Sequence, residues 1–386
     1  MYSLKDFGVT RETGELDDGS KVFLYRKPKM PLSTLVIFNA GSRHDYSGKD
    51  GLAHFSEHML FKGTEKFKNE IEVSLLVEGI GGLVNAFTWQ DGLGISADVG
   101  LVKDYPKVVD FIYELVKKSL FKEEKMEMER HTILSEMSDS LSNQSVYIYH
   151  LLQNNLYQGT ILGRDIIGTA KSLKSISRED LYGFYTKNIS SQKMKIIVAG
   201  DISVEELVDL YNKKFLGTKT QSGTKEIQSD LDIVRKKPVM IKVYEGSEHL
   251  YLGFGFRTCP FISRDTDVLT VIKSIISDGF SSSLYKKLRV DNGLVYFVDV
   301  TEDNFSDSGS FSVVTTTSKD KLQKVLDIIT EEFNRLCSLG VTKEELKLAK
   351  DKIIKSKLRQ MQQSNSWVEF HLTGDYLDPE GDNDLA

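Results

Sequence analysis

Cysteine is scarce in this sequence: Cys259 and Cys337 are the only two among 386 residues, and they lie far apart in the chain. Two distant cysteines exclude a disulfide framework of the kind that holds small secreted domains together. They also exclude a structural zinc site built from cysteine thiolates. The sequence therefore predicts a protein of a reducing compartment, most simply the cytoplasm.

Long apolar runs and blocks of basic residues are missing as well. No run approaches the ~18 residues that a membrane-spanning helix needs, and the opening stretch MYSLKDFGVTRETGELDDG lacks the apolar core of a signal peptide. The net charge is −6, without a cluster of Lys and Arg that could follow a phosphate backbone. We expect a soluble protein that binds neither membranes nor nucleic acid.

What is present is an ordinary globular composition, 40% hydrophobic and 27% charged, long enough for two domains. The two halves of the sequence share an outline of strands, a helix, paired strands and two long helices. The polar, mixed-charge stretch 218–236 separates them and is the predicted linker. We therefore predict a first domain at residues 1–217 and a related second domain at residues 237–386. Because strands cluster with strands and helices with helices, the fold class is α+β.

Apolar periodicity and turn signals place the main elements. Predicted strands span 33–42, 83–90, 92–99, 195–203, 238–244 and 249–257, and predicted helices span 69–79, 104–119, 123–157, 265–278, 319–339 and 342–372. Capping signals stand at Ser177 and at the pair Thr342 and Glu345. The second half lacks the final strand and helix of the first, so residue 386 is either the native end or a truncation.

The stretch AHFSEHMLFKG, residues 53–63, holds two of the seven histidines in the chain. On a helix, His54 and His58 lie one turn apart on the same face, with Glu57 beside them. Two imidazoles at this spacing suit a zinc ion, and the order H-x-x-E-H is a known zinc-peptidase signature. The alternative is a partly buried helix whose histidines are satisfied by hydrogen bonds.

A third ligand must come from elsewhere in the chain, and the segment EMERHTILSEMSD, residues 127–139, offers two carboxylates. Glu129 and Glu136 lie two helical turns apart and share a face. One could bind the metal while the other orients a ligand histidine. A solvated acidic face is the alternative, although the apolar residues between them favour a partly buried helix.

These stretches resemble the zinc peptidases of the pitrilysin, insulin-degrading enzyme and mitochondrial processing peptidase family, and the resemblance covers nearly the whole chain. GLAHFSEHMLFKGTEKF is similar to the family's active-site helix, and ERHTILSEMSD to its distal glutamate segment. The resemblance implies one zinc ion per chain, bound by His54, His58 and Glu136. It makes Glu129 the supporting acid and Glu57 the general base that activates water.

The same resemblance implies where a peptide would bind. GGLVNAFTWQDG is similar to the edge strand that receives an extended substrate, here Asn85, Ala86, Phe87 and Thr88. Phe61 matches a position that lines a pocket for an apolar side chain just after the cut. A plain core phenylalanine is the alternative for Phe61.

In the second half, FSSSLYKKLRVDNGLVYFV is similar to the segment that reaches back to the substrate at the zinc. The resemblance assigns that role to Arg289 and Tyr296, which would donate hydrogen bonds to substrate oxygens. Packing and a surface salt bridge are the alternative for this pair. The stretch LGRDIIGTAKSLKSIS is similar to the family's segment after the long helix.

The family resemblance also implies an architecture: two similar domains, each a mainly antiparallel sheet with helices packed on one face. Two-domain members pair into a clamshell that admits unfolded peptides. Because one chain carries both the zinc motif and the Arg289 and Tyr296 segment, we expect a homodimer, with a heterodimer of related chains left open. Mitochondrial processing enzymes carry acidic residues where 139–152 is mostly neutral, so we expect general peptide cleavage instead of arginine-directed cleavage.

The predicted function is therefore zinc-dependent endopeptidase cleavage of unfolded peptides. Three other functions compete with it. The first is a non-catalytic family member acting as an assembly or partner subunit, the second a zinc hydrolase of a non-peptide substrate, and the third a structural protein with buried histidines.

Overall fold

The structure is a computed structural model in which residues 4–218 and 249–374 are described. The chain divides into two compact units. The first takes in Met1–Met137, Arg164–Ile227 and Gln360–Ala386, and the second takes in Ser138–Gly163 and Gln228–Arg359. Each unit thus includes a segment from the other half of the sequence. The predicted domain boundaries at 217 and 237 stay a prediction, and the linker lies outside the described residues apart from position 218.

The first unit is built on a six-stranded sheet. Its strands are β1 (Thr10–Glu15), β2 (Lys21–Arg26), β3 (Leu32–Phe38), β4 (Leu83–Thr88), β5 (Leu93–Val99) and β6 (Lys195–Gly200). They lie in the order β1-β2-β6-β3-β5-β4, and only β2 and β6 run parallel. β3, buried along its whole length, lies in the middle, whereas β4 lies at one edge with β5 as its sole neighbour among the described strands.

Helices cover one face of this sheet, and their apolar sides form the main core with alternate residues of the strands, including Val22, Val36 and Val198. The helices of the first unit are α1 (Leu52–Leu60), α2 (Glu70–Glu78), α3 (Tyr105–Lys118), α4 (Glu123–Ser142, which continues into the second unit), α6 (Ala170–Ser175), α7 (Arg178–Tyr185) and α8 (Val204–Phe215). The predicted α+β class and mainly antiparallel sheet are confirmed.

The other face of the sheet is also covered, which the sequence did not predict. Helix α13 (Ser364–Gly374) packs against β3 and β6, although it lies near the end of the sequence. Trp367 is fully buried there and stacks on Tyr25 with ring centroids 5.7 Å apart. Trp367 and the strand residues that point to this face, including Leu35 and Ile197, form a second hydrophobic cluster. The expectation of helices on one face therefore holds for the main core, while α13 adds a second layer.

The second unit has a three-stranded antiparallel sheet among its described residues, in the order β7-β9-β8. The strands are β7 (His249–Thr258), β8 (Val298–Asn304) and β9 (Gly309–Ser318), and the helices are α5 (Gln144–Leu156), α9 (Asp265–Ser277), α10 (Ser283–Tyr285, continued by a π-helical turn over Lys286–Val290), α11 (Leu322–Leu339) and α12 (Lys343–Gln360). The strand predicted at 238–244 lies outside the described residues.

Two predicted helices are each divided in the structure. The helix predicted at 123–157 breaks at Asn143, whose side chain accepts a hydrogen bond from Ser145 N at 3.1 Å and caps α5. Asparagine is favoured at the position of Asn143 because its side chain replaces a missing intrahelical partner. The helix predicted at 342–372 breaks at residues 361–363, between α12 and α13.

Candidate metal centre

Helix α1 carries the histidine pair, and its first turn is held from two sides. Gly51 precedes the helix with φ of +93°, and a Cβ there would lie 2.6 Å from Ile167 O, so glycine is required on both counts. The carboxylate of Asp45 accepts hydrogen bonds from Gly51 N and Ala53 N, each 2.8 Å long. These bonds satisfy donors that a helix start leaves unpaired, and they fix where α1 begins.

The structure places His54 and His58 side by side, as the helical spacing predicts. Their Nε2 atoms are 3.3 Å apart. Glu136 arrives from α4, with Oε1 3.9 Å from His54 Nε2 and Oε2 3.8 Å from His58 Nε2. Three donors from two helices therefore converge, and their ligand atoms all lie within 4.8 Å of one another.

This donor set fits a zinc ion. Two nitrogen ligands of a tetrahedral zinc, each about 2.0–2.1 Å from the ion, lie about 3.3–3.4 Å apart, which is the separation of the two Nε2 atoms. Burial, helped by the charge of His58, lowers the pKa of His54 to about 4, so its ring is neutral and offers a lone pair. The Glu136 side chain is 47% exposed, so its carboxylate has room to close the remaining distance.

Glu129 holds the far side of the His58 ring. His58 Nδ1 lies 2.7 Å from Glu129 Oε1, and Lys62 Nζ lies 2.8 Å from Glu129 Oε2. Burial alone would raise the pKa of Glu129, but hydrogen bonds from His58 and Lys62 outweigh burial and lower it. An ionised Glu129 accepts a hydrogen bond from Nδ1–H of His58, which leaves Nε2 as the ring nitrogen that faces Glu136 and can bind a metal.

Glu57 lies on α1 beside the cluster without belonging to the converging set. It is buried, and its Oε2 accepts a hydrogen bond of 2.6 Å from the hydroxyl of Thr88 on β4. Burial raises the pKa of Glu57, with the charge of Glu136 acting in the same direction. A carboxyl group with a raised pKa beside a metal position has the chemistry of a general base.

The predicted substrate strand, Asn85, Ala86, Phe87 and Thr88, lies within the edge strand β4. Its pairing with β5 covers one side, which leaves the other side as the open edge of the described sheet. Phe61 directly follows α1 and is half-buried, with its ring 6.1 Å from that of Phe111. This placement is compatible with either a pocket wall or a core side chain, so its predicted role stays a prediction.

Arg289 and Tyr296 belong to the second compact unit. The guanidinium of Arg289 contacts two rings, with its carbon 5.2 Å from the centroid of Tyr285 and 5.0 Å from that of Tyr296. Tyr296 is 75% exposed. The predicted contact of this pair with substrate stays a prediction.

Sequence reasoning missed Lys62 and the link between Thr88 and Glu57. Lys62 follows His58 by four residues, the spacing of neighbours on a helical face, and that spacing could have marked it. No sequence signal joins the Thr88 side chain to Glu57, because the two are 31 positions apart and meet only through the packing of β4 against α1.

Comparison with known proteins gives consistent matches along the chain. Residues 21–170 match the family model described as "Insulinase (Peptidase family M16)", and residues 175–353 match "Peptidase M16 inactive domain". An uncharacterized zinc protease of Rickettsia bellii is 27% identical over 384 residues, covering 97% of this chain and 90% of that protein. The human mitochondrial-processing peptidase subunit beta is 28% identical over 350 residues, covering 88% of this chain and 71% of the subunit.

Solved structures agree on the fold. A protease from Helicobacter pylori superimposes with a TM-score of 0.84 at 20% identity, covering 96% of this chain and 91% of that one. A peptidase M16 inactive domain from Pseudomonas fluorescens gives the same TM-score and identity, covering 96% and 89%. At this level of identity the likeness concerns the fold alone.

Within the described residues, every helix is too short or too polar to cross a membrane. The predicted compartment stays a prediction. The two family models match consecutive parts that together span most of the sequence, and the curated relatives align over nearly all of it. The chain therefore belongs to peptidase family M16, the insulinase family.

Proposed function

We propose that this chain is a zinc-dependent endopeptidase that cleaves unfolded peptides. The observation that carries the proposal is the convergence of His54, His58 and Glu136, whose ligand atoms all lie within 4.8 Å of one another. The buried carboxyl group of Glu57 lies beside them, on the same helix as the two histidines. The three side chains can bind a metal ion, and Glu57 provides a proton acceptor next to it on α1. The naming of relatives as zinc proteases supports the same conclusion.

The three converging side chains would hold one zinc ion per chain. Zinc in such a donor set supplies Lewis acidity toward a carbonyl oxygen and toward water. Glu57 accepts a proton from the attacking water and later delivers it to the leaving amine. Glu129 keeps His58 in the orientation and tautomer that a ligand needs, and Lys62 in turn holds Glu129.

A peptide substrate would bind extended, as a further strand along the open edge of β4. Main-chain pairing with Asn85 to Thr88 makes recognition tolerant of sequence, which suits cleavage of varied unfolded segments. Phe61 would contact an apolar side chain just after the cut. Arg289 and Tyr296 would donate hydrogen bonds to substrate oxygens where negative charge develops.

The test is hydrolysis of an unstructured peptide mixture by the purified chain, with cut sites mapped by mass spectrometry. We expect scattered cuts with an apolar residue after the scissile bond, loss of activity with a chelator, and recovery with zinc. Glu57→Gln should abolish cleavage while it keeps near one zinc per chain. His131→Gln, an exposed histidine on α4, is the matched control and should retain activity. A wild-type chain that binds zinc but cuts no peptide would refute the proposal.

A second candidate is a non-catalytic partner subunit, favoured by the match of residues 175–353 to an inactive-domain model. The retained His54, Glu57, His58 and Glu136 speak against it. We also propose that two copies of this chain pair, which light scattering on the purified protein would test. A monomer that becomes active only when a related chain is added would favour the heterodimer.

A further inference from the structure

A hydrogen bond between the hydroxyl of Thr88 and the carboxylate of Glu57 joins β4, the proposed substrate strand, to α1, which carries the two histidines. Thr88 Oγ1 donates to Glu57 Oε2 over 2.6 Å, which connects the last residue of β4 with the middle of α1. Residues alternate between the two faces of a strand. Val84 and Ala86 pack on the main helical core, whereas Phe87 packs in the cluster on the other face. Thr88 therefore projects toward α1 because of its register in β4.

Hydrogen bonds join the residues that follow β4 to the loop before α1. These bonds support the contact between Thr88 and Glu57. Trp89 O accepts a hydrogen bond of 3.1 Å from Ser42 N, and Gln90 O accepts one of 3.0 Å from Arg43 N. The buried guanidinium of Arg43 also lies 2.6 Å from a carboxylate oxygen of Asp91, in the turn after β4. Two backbone hydrogen bonds and one ion pair thus join the residues after β4 to the loop that precedes α1.

Thr88 also exposes its backbone at the open edge of the sheet. Trp89 N donates to Gly92 O over 3.0 Å, so Trp89 faces β5 across the hairpin. In an antiparallel ladder, neighbouring residues alternate between bonding inward and outward. The N–H and C=O of Thr88 therefore point to the outer edge, where an added strand would pair. The Ala86 N–H, on the same side, already donates to Asn85 Oδ1 over 2.9 Å.

We propose that Thr88 is a positioning residue that holds the Glu57 carboxylate through its hydroxyl while its backbone pairs with the bound peptide. The same residue would then position both the Glu57 carboxylate, through its hydroxyl, and the bound peptide, through its backbone. The proton acceptor and the peptide bond to be cut would therefore be held at a fixed distance from each other. The inference rests on the proposed endopeptidase function and adds to it a residue that contacts the base directly. A threonine that only satisfies a buried carboxyl group would stabilise the fold without affecting the rate.

The experiment compares Thr88→Val, which removes the hydroxyl but keeps the shape, with Thr88→Ser, which keeps the hydroxyl. For hydrolysis of an unstructured peptide we expect Thr88→Val to lower kcat about tenfold to a hundredfold, because a hydrogen bond to a charged group is lost. We expect KM and zinc content to stay near wild-type values and Thr88→Ser to restore most of kcat. The matched control is Thr13→Val, an exposed threonine on the opposite edge strand β1, which should leave both constants unchanged.

Three results would overturn the inference: an unchanged kcat in Thr88→Val, an equal loss in Thr88→Ser, or a loss confined to KM. Crystal structures of zinc-loaded wild type and Thr88→Val provide a readout that needs no activity. We expect the Glu57 carboxylate to leave its wild-type position in the variant, and an unmoved carboxylate would refute the positioning role. An inactive wild type whose Glu57 moves in the variant would refute the proposed function but keep the contact that positions Glu57.

Discussion

His58 and Glu129 share a hydrogen bond of 2.7 Å between Nδ1 and a carboxylate oxygen, across 71 positions of sequence. The bond sets which way the His58 ring faces and turns Nε2 toward Glu136. Glu129 is itself buried and held by Lys62, so the ring has little freedom to turn. Contacts within the chain thus orient the His58 ring.

Removing the charge of Glu129 should weaken metal binding. In Glu129→Gln we expect zinc affinity to fall about tenfold to a hundredfold, the usual effect of losing a partner that orients a ligand histidine. Competition with a coloured chelator measures the affinity. Glu124→Gln, on the exposed first turn of the same helix, is the control and should bind zinc as wild type does. Equal affinities in Glu129→Gln and wild type would contradict the assignment.

Zinc should stabilise the fold through the three converging side chains. A ligand that binds only the native state at about a thousand times its Kd adds about 4 kcal/mol to the free energy of unfolding. Urea titrations with and without zinc measure the gain. His54→Gln should lose most of it, while the exposed His131→Gln should keep it. A zinc-dependent gain of the same size in His54→Gln would place the metal elsewhere.

A buried carboxylate in the second unit predicts a pH dependence of stability. Glu332 on α11 is fully buried and accepts hydrogen bonds from Lys287 and from Arg335, the latter at 2.8 and 3.1 Å. Burial would raise the pKa of Glu332, but these cations outweigh it and hold the pKa at about 2, below the ordinary 4.5. The ionised form therefore stabilises the fold above pH 4.5, and that contribution is lost as the pH falls toward 2.

Glu332→Gln should lower the free energy of unfolding at pH 7 by about 2 kcal/mol, since the hydrogen bonds to a charged acceptor are weakened. The difference from wild type should shrink between pH 4.5 and pH 2.5 in urea titrations. Its exposed neighbour Glu331 provides the control variant, Glu331→Gln, which should match wild type throughout. A difference that does not vary with pH would show that Glu332 contributes through packing alone.

Trp367 should anchor the last described helix to the first sheet. It is fully buried, stacks on Tyr25 and donates a hydrogen bond of 3.1 Å to Met361 O. Trp367→Ala should lower the free energy of unfolding by about 3 to 5 kcal/mol, the usual effect of removing a large aromatic side chain from a core. Denaturant unfolding measures the cost, and the exposed Asn365→Ala should be near neutral. A cost below about 1 kcal/mol would contradict tight packing of α13 on the sheet.

Element types were predictable wherever the signal was local. The capping pair Thr342 and Glu345 is present, with Glu345 N donating to Thr342 Oγ1 at 3.1 Å. The break between α12 and α13 was not predictable in this way. The break allows Trp367 to pack on a sheet whose strands lie far away in the sequence. The free energy gained by burying this side chain outweighs the free energy that an uninterrupted helix would give.

The sequence by itself determined that His54, Glu57 and His58 would share one turn of helix, because side-chain direction on a helix follows from spacing alone. It also narrowed the third donor to Glu129 or Glu136, and only family resemblance chose between them. The tertiary structure decided that Glu136 faces both imidazoles while Glu129 lies behind His58, and that Thr88 reaches Glu57. Those contacts join segments 31 to 82 positions apart, and their geometry depends on how α4 and β4 pack against α1, which no local pattern encodes.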